Sequence, residues 1–276
     1  MLEHFFSVEG DKSIFDGLKI SKDKKLCEEY MGKHPVISIS LKGINAASYE
    51  AAFELTVKTI KGAVQKAGFL KMSDKLGEDE KKEYRAILDE NMSEATLFWS
   101  LKNLSELLEK HYETKVILLI DEYDVPLAKA FENGYYDKMV FLIRNLLEQT
   151  LKTNNSLKFA VMTGCMRISK ESIFTGLNNL KVLSITDERF DEYFGFTDED
   201  VKEMLRYYDR EDHYEEMRNW YDGYRFGSTD VYCPWDVLNH CDKIKENAAA
   251  FPENYWVHTS SNEAVKKIIQ TVSYTH

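Results

Sequence analysis

Apolar positions along the chain follow two alternating periods, and the alternation predicts the elements. Residues Pro35-Val36-Ile37-Ser38-Ile39-Ser40-Leu41 are β-branched and alternate in polarity, so they predict a strand that Lys42-Gly43 ends. Tyr49, Phe53, Val57, Ile60 and Val64 recur at spacings of four and three, which is one face of a helix with Gly68 as its stop. Residues 71–91 are strongly charged and predict an exposed helix. Leu97, Leu101, Leu104 and Leu108 restore the helical stripe just before a continuous apolar run, Lys115–Ile120. Such a run suits a strand covered on both faces, as in a parallel sheet between helices. Another helix follows, with Met139, Ile143, Leu146 and Thr150 inward. After the turn Asn154-Asn155-Ser156 comes a second buried strand, Leu157–Met162, ending in Thr163-Gly164. Strand, long helix, strand, long helix, strand predicts an α/β sandwich with right-handed crossovers. Residues 1–8 read as the tail of a helix without a cap.

The texture changes from about Phe190. Thr197-Asp198-Glu199-Asp200 is a helix start, with a hydroxyl N-cap and an acidic first turn. The remainder is short, aromatic-rich and expected to be helical, including Trp220–Gly227 and Tyr232–Trp235. The division expected is an α/β core over 1–190 and a helical lid or second subdomain over 191–276.

Composition narrows the function classes. The chain has 276 residues, 43% hydrophobic and 30% charged, with a formal net charge of -11. That balance disfavours a general nucleic-acid surface, which needs clustered Lys and Arg. The four cysteines, Cys27, Cys165, Cys233 and Cys241, form no C-x-x-C pair, and no histidines accompany them at zinc-like spacing. Reduced thiols in a cytoplasmic protein are expected. The first ten residues lack the basic start and apolar run of a signal peptide, and no stretch reaches the ~20 apolar residues that span a bilayer.

Candidate chemistry concentrates at strand ends. Val116–Ile120 leads directly into Asp121-Glu122-Tyr123-Asp124, an acidic-tipped buried strand of the Walker B kind. In phosphoryl transfer the first carboxylate of such a pair holds Mg²⁺ and the next polarises the attacking water. They belong at the carboxyl end of a central strand, where parallel sheets bind ligands. The competing reading is that Asp121 and Asp124 cap the next turn, ahead of Pro126. At the next strand end, Thr163 is placed to sense a phosphate, and Arg167 to stabilise developing negative charge. The competing reading there is a helix start capped by Ser169, with Arg167 in a surface ion pair. The aromatics of 220–235 are read as core filler in preference to a base or peptide platform. Cys165 has no neighbouring histidine to activate it. No Gly-rich loop with Lys before Ser or Thr opens a helix in this chain: Gly32-Lys33 is followed by His34-Pro35, before a strand.

Taken together, Val116–Ala130, Thr163–Asn179, Trp220–Gly227 and Tyr232–Leu238 resemble the motifs of the AAA-ATPase-like family, in the same order. Met1–Phe6 is similar to the helix that follows the phosphate loop in full-length members. The resemblance covers nearly the whole chain. It implies a P-loop NTPase-like α/β fold, a parallel sheet between helices, truncated at its N-terminus and followed by a small helical subdomain. It also implies ATP and Mg²⁺ as cofactors. Asp121 matches the metal-associated carboxylate, with Asp124 beside it in the cofactor site. Glu122 matches the water-activating carboxylate, and Thr163 and Arg167 fall in the sensor-like region. Family members commonly carry a restriction-endonuclease-like nuclease domain after the helical region. Without the phosphate loop, the expectation is an ATPase-family domain that binds nucleotide weakly or not at all. The alternative is a non-enzymatic module, with the aromatic region docking a protein partner and unpaired sheet edges favouring self-association.

Overall fold

The computed structural model describes residues 1–165, 173–174 and 180–256. The chain divides into two compact units, 1–180 and 181–276.

The first unit is built on three parallel strands, β1 (Val36–Ser40), β2 (Val116–Asp121) and β3 (Leu157–Met162), in the order β1-β2-β3. Register pairs Ser40 with Asp121 and Ile120 with Met162, so the carboxyl ends of all three strands lie together. The helices of this unit are α1 (Leu2–Phe6), α2 (Lys24–Tyr30), α3 (Tyr49–Lys66), α4 (Glu78–Ile87), α5 (Glu94–Tyr112), α6 (Val125–Glu132) and α7 (Tyr136–Leu151). Side chains alternate across a strand. Ile37, Ile39, Val116, Leu118 and Ile120 therefore share the main core with Ile60 and Val64 of α3, Leu101 and Leu104 of α5, and Ile143 and Leu146 of α7. On the other face, Phe159 of β3 meets Phe6 of α1 with ring centroids 5.5 Å apart and Tyr30 of α2 at 6.4 Å. The sheet thus lies between helices, as its unbroken apolar β2 requires, and the α/β class expected from the sequence is what the chain forms.

Two local expectations need correction. Residues 71–91 are not wholly exposed: α4 turns Tyr84 and Ile87 into the core, and the Tyr84 hydroxyl donates to the Val64 carbonyl at 2.9 Å. The stop expected at Gly68 is met: α3 ends at Lys66, and a 3-10 helix, Gly68–Met72, takes over. Strand β3 is not buried like β2. Its residues are half-buried or exposed, because among the described residues it has a strand neighbour on one side only.

The second unit holds α8 (Asp198–Tyr207), α9 (Tyr214–Tyr221), the hairpin β4 (Asp222–Phe226) with β5 (Thr229–Tyr232), and α10 (Pro234–Glu246). The expected hydroxyl N-cap is present, and it forms half of a capping box: Thr197 Oγ1 accepts from the Asp200 N–H, and the Asp200 carboxylate accepts from the Thr197 N–H at 3.0 Å. The expectation of helix over 222–232 fails. Gly227 takes φ +51°, and a two-residue Gly-Ser loop joins two antiparallel strands. The core of this unit is Val201, Leu205, Met217, Tyr221, Tyr232, Val237, Cys241 and Ile244. Tyr221 and Tyr232 are therefore core filler as expected, whereas Trp220, Tyr224 and Trp235 stand about half exposed.

Among the described residues, no helix is long and apolar enough to cross a membrane.

Candidate active site at the carboxyl end of the parallel sheet

Strand β2 ends by delivering Asp121 to the carboxyl edge of the sheet, where it is exposed. On the neighbouring strand, Thr163 donates its hydroxyl to the Asp121 carboxylate. The backbone holds that pair in place: Thr163 N–H donates to the Ile120 carbonyl at 2.9 Å, and Tyr123 N–H donates to the Thr163 carbonyl at 3.1 Å. On the other side, Leu41 N–H donates to the Asp121 carbonyl at 2.9 Å. Asp121 is thus gripped from both flanking strands, and its carboxylate points out of the sheet end by construction.

The chain turns sharply immediately afterwards. Glu122 adopts φ +53°, a left-handed conformation unusual for a residue with a long side chain. Such positions cost on the order of 1–3 kcal/mol and persist where the surroundings over-determine them. Here the ladder bonds on either side do so. The turn places Glu122 half-buried beside Lys42, with Nζ 3.7 Å from Oε1. Lys42 is 77% exposed, so the pair contributes little to stability. Its interest is positional, since Lys42 comes from the end of β1 and brings a cation to the acidic cluster.

Asp124 is buried, with 2% exposure, at the N-cap position of α6 with Pro126 just inside the helix. Its side chain makes no capping bond, so the reading of Asp124 as a simple helix cap does not hold. Gly164, on the strand end opposite, packs directly against it: a Cβ there would lie 2.6 Å from Asp124 Oδ1. The Cys165 thiol reports the resulting electrostatics. Burial pushes its pKa up first, and Asp124, Glu122 and Asp121 push it further, opposed by Lys42. Cys165 is free, and its raised pKa leaves less thiolate at neutral pH than an ordinary cysteine has.

The structure therefore brings together Asp121, Glu122, Asp124 and Thr163, all singled out from the sequence. Arg167 and Ser169 lie outside the described residues. Lys42 was missed, because nothing in Leu41-Lys42-Gly43 marks it apart from ending a strand; the parallel pairing of β1 with β2 brings it in. The carboxylates and the Thr163 hydroxyl gathered at this edge offer oxygens, the set that hard cations such as Mg²⁺ take. They fit Mg²⁺. Lys42 is a cation that the described residues bring to this edge.

The sequence model of the family described as "Predicted AAA-ATPase" matches residues 1–174, which include every strand of the sheet and the acidic turn. The chain belongs to this AAA-ATPase-like family. It is also 33% identical over 137 residues to an "Uncharacterized protein in vnfD 5'region" from Azotobacter chroococcum mcd 1, a stretch covering 45% of this chain and 24% of that protein. The chain thus spans about a quarter of the length of this curated relative. No solved structure matches the chain.

Proposed function

We propose that the carboxyl end of the sheet is the Walker B half of an Mg-ATP site. In this reading Asp121 holds Mg²⁺, which when bound would neutralise phosphate charge, and Asp124 supports it from the buried side. Glu122 orients and polarises a water. Thr163 fixes the Asp121 carboxylate, and Arg167 serves the sensor region. The α/β core over 1–190 carries the site, with 191–276 as its helical companion. The observation that supports this best is the Thr163–Asp121 bond across adjacent parallel strands, which holds a carboxylate at the sheet edge where a metal-bound phosphate would sit.

The same reading limits activity. These 276 residues contain no Gly-rich phosphate loop, so the backbone N–H donors and the Lys that grip β- and γ-phosphates are not among them. We infer weak MgATP binding and little hydrolysis by this chain. Calorimetry of the chain with MgATP tests this: no saturation in the micromolar range is expected. Micromolar binding abolished by Asp121→Ala would confirm the site and overturn the claim of weakness. Micromolar binding untouched by that substitution would overturn the site.

The second reading is a non-enzymatic interaction module, and the exposed Trp220, Tyr224 and Trp235 favour it. If it holds, light scattering will show self-association that MgATP leaves unchanged and that alanine at these three positions abolishes.

A further inference from the structure

Residues far apart in sequence converge in the second unit. His213 closes a short 3-10 helix, Glu216 lies three residues on in the first turn of α9, and His240 lies in the middle of α10. One carboxylate oxygen, Glu216 Oε1, is 3.0 Å from His213 Nδ1 and 3.0 Å from His240 Nε2. All three ligand-capable atoms lie within 4.8 Å of one another. His240 is fully buried, His213 nearly so, and Glu216 reaches solvent with 34% of its side chain exposed.

The spacing suits a small cation. Zinc takes imidazole nitrogens at about 2.0–2.1 Å and carboxylate oxygens at about 2.0–2.2 Å, so neighbouring tetrahedral ligands stand roughly 3.3–3.5 Å apart. Opening the two 3.0 Å contacts by a few tenths of an ångström, and setting the two ring nitrogens at the same separation, would admit the ion. Two histidines and one carboxylate, with one side open to water, is a mixed nitrogen and oxygen set that favours zinc-like cations over Mg²⁺ or Ca²⁺.

A metal-bound imidazole needs its other ring nitrogen protonated and partnered. His213 Nε2 faces Asp212 Oδ2 at 3.9 Å, and His240 Nδ1 faces the Tyr255 hydroxyl at 3.5 Å. Glu216, a carboxylate that can only accept, holds the ring protons on the nitrogens facing it, so a bound cation would displace those protons and shift each ring to the tautomer protonated on its outward nitrogen, toward Asp212 and Tyr255. The ring of His240 is further held by Tyr221, centroids 5.5 Å apart, against the apolar core of Met217, Val237 and Cys241. Asp236, one helical turn before His240, is buried with Oδ1 lacking a hydrogen-bond partner.

We propose that His213, Glu216 and His240 form a binding site for a divalent transition-metal cation of the zinc class, with water as fourth ligand. The ion would tie α9 to α10 across 23 residues of intervening chain and stabilise a small unit with a modest core. This proposal is independent of the Mg-ATP reading, since its ligands share no residue with the sheet-edge site.

The test uses the whole chain, freed of metal by chelator and dialysis. ZnCl₂ is titrated against a chromogenic competitor, CoCl₂ is followed by its visible ligand-field absorption, and melting is followed by far-UV circular dichroism. Expected are one zinc per chain, cobalt bands of four-coordinate intensity, and a melting temperature that rises with zinc concentration. Binding should release protons and weaken as pH falls, because the imidazole and carboxylate must give up theirs. His213→Gln and Glu216→Gln, at the partly exposed side of the cluster, should weaken zinc at least tenfold and abolish the melting shift. Fully buried His240→Asn provides a third variant where it folds. Cys165→Ser and Cys27→Ser should bind zinc as wild type does. The proposal is overturned if wild type takes up no stoichiometric zinc. It is equally overturned if folded His213→Gln and Glu216→Gln, verified by circular dichroism, keep wild-type affinity, which would leave the cluster as a hydrogen-bonded one only.

Discussion

A methyl group added at Gly164 probes the candidate active site without removing any of its functional groups. An ideal Cβ at this position would lie 2.6 Å from Asp124 Oδ1, 3.1 Å from Asp124 Cγ and 2.8 Å from Tyr123 Cε1. Real carbon contacts are not that short, so something must move. Asp124 is buried at the start of α6, and the Tyr123 ring is pinned edge-on to Phe174 at 5.4 Å. Neither neighbour swings away freely, and overpacking of this kind costs about 1–3 kcal/mol. Gly164 itself is exposed, so its backbone can yield outward, which places the expected cost for Gly164→Ala in the lower half, about 1–2 kcal/mol. For a unit of this size that is a fall in melting temperature of roughly 2–8 °C. Two other glycines serve as controls. A Cβ at Gly43 meets nothing within 4 Å, so Gly43→Ala should melt close to wild type. Gly62 lies inside α3, exposed and equally unobstructed, so Gly62→Ala should stabilise by about 0.5–1 kcal/mol through helix propensity. Because the chain holds two compact units, amide hydrogen exchange of peptides from residues 1–165 should accompany the melting curves. Gly164→Ala indistinguishable from Gly43→Ala would refute the packing of the acidic turn against the end of β3.

Other consequences follow from the same contacts. Thr163→Val removes the hydroxyl bond to Asp121 but keeps both backbone bonds of Thr163; since the carboxylate is exposed and rehydrates, urea unfolding should show a loss under about 1 kcal/mol. A loss above about 2 kcal/mol would mean that the bond is a major folding constraint. Glu122→Gly relieves a left-handed backbone position at the cost of a weak ion pair, so it should leave stability unchanged or raised by about 1 kcal/mol; clear destabilisation in the same assay would contradict the strain. For Cys165, burial and three carboxylates disfavour the thiolate, so its alkylation by iodoacetamide should have a pH midpoint above that of a free cysteine peptide. Asp124→Asn should bring that midpoint down, and an unchanged value would disprove the coupling. In the second unit, burial opposes ionisation of Asp198, but bonds from Lys202, Tyr214 and Tyr232 outweigh it and lower its pKa. The group therefore stabilises the fold above the unfolded carboxylate value of about 3.9 and loses that contribution as pH falls through the lowered value. Acid titration of Asp198→Asn by circular dichroism should show a shallower loss of structure below about pH 4 than wild type; identical slopes would exclude the contribution.

The acidic turn was legible in the sequence because its parts are contiguous. Val116–Ile120 had to be covered on both faces, and a chain leaving such a strand through Asp121-Glu122-Tyr123-Asp124 has to present those carboxylates at a sheet end. The long helices α3, α5 and α7 were equally legible, since apolar residues at spacings of three and four describe a single buried face whatever lies beneath it. Local capping chemistry, too, is complete within four residues, as Thr197 and Asp200 demonstrate.

Periodicity could not say how many neighbours a strand has. Leu157–Met162 is as apolar a run as β2, yet it is half-buried because burial depends on what pairs and packs beside it. The hairpin at 222–232 was read as helix because aromatic residues serve either state; pairing of β4 with β5 across Gly227 decided it. Lys42 became part of the acidic cluster only through the register of β1 on β2. The histidines looked scattered because His213 and His240 are separated by 26 other residues, and only the packing of α9 against α10 brings both onto one oxygen of Glu216. Short-range order is written in composition and spacing, which act within a turn or a strand. Which distant residues share a site is settled by the packing of whole elements, and no local pattern carries that information.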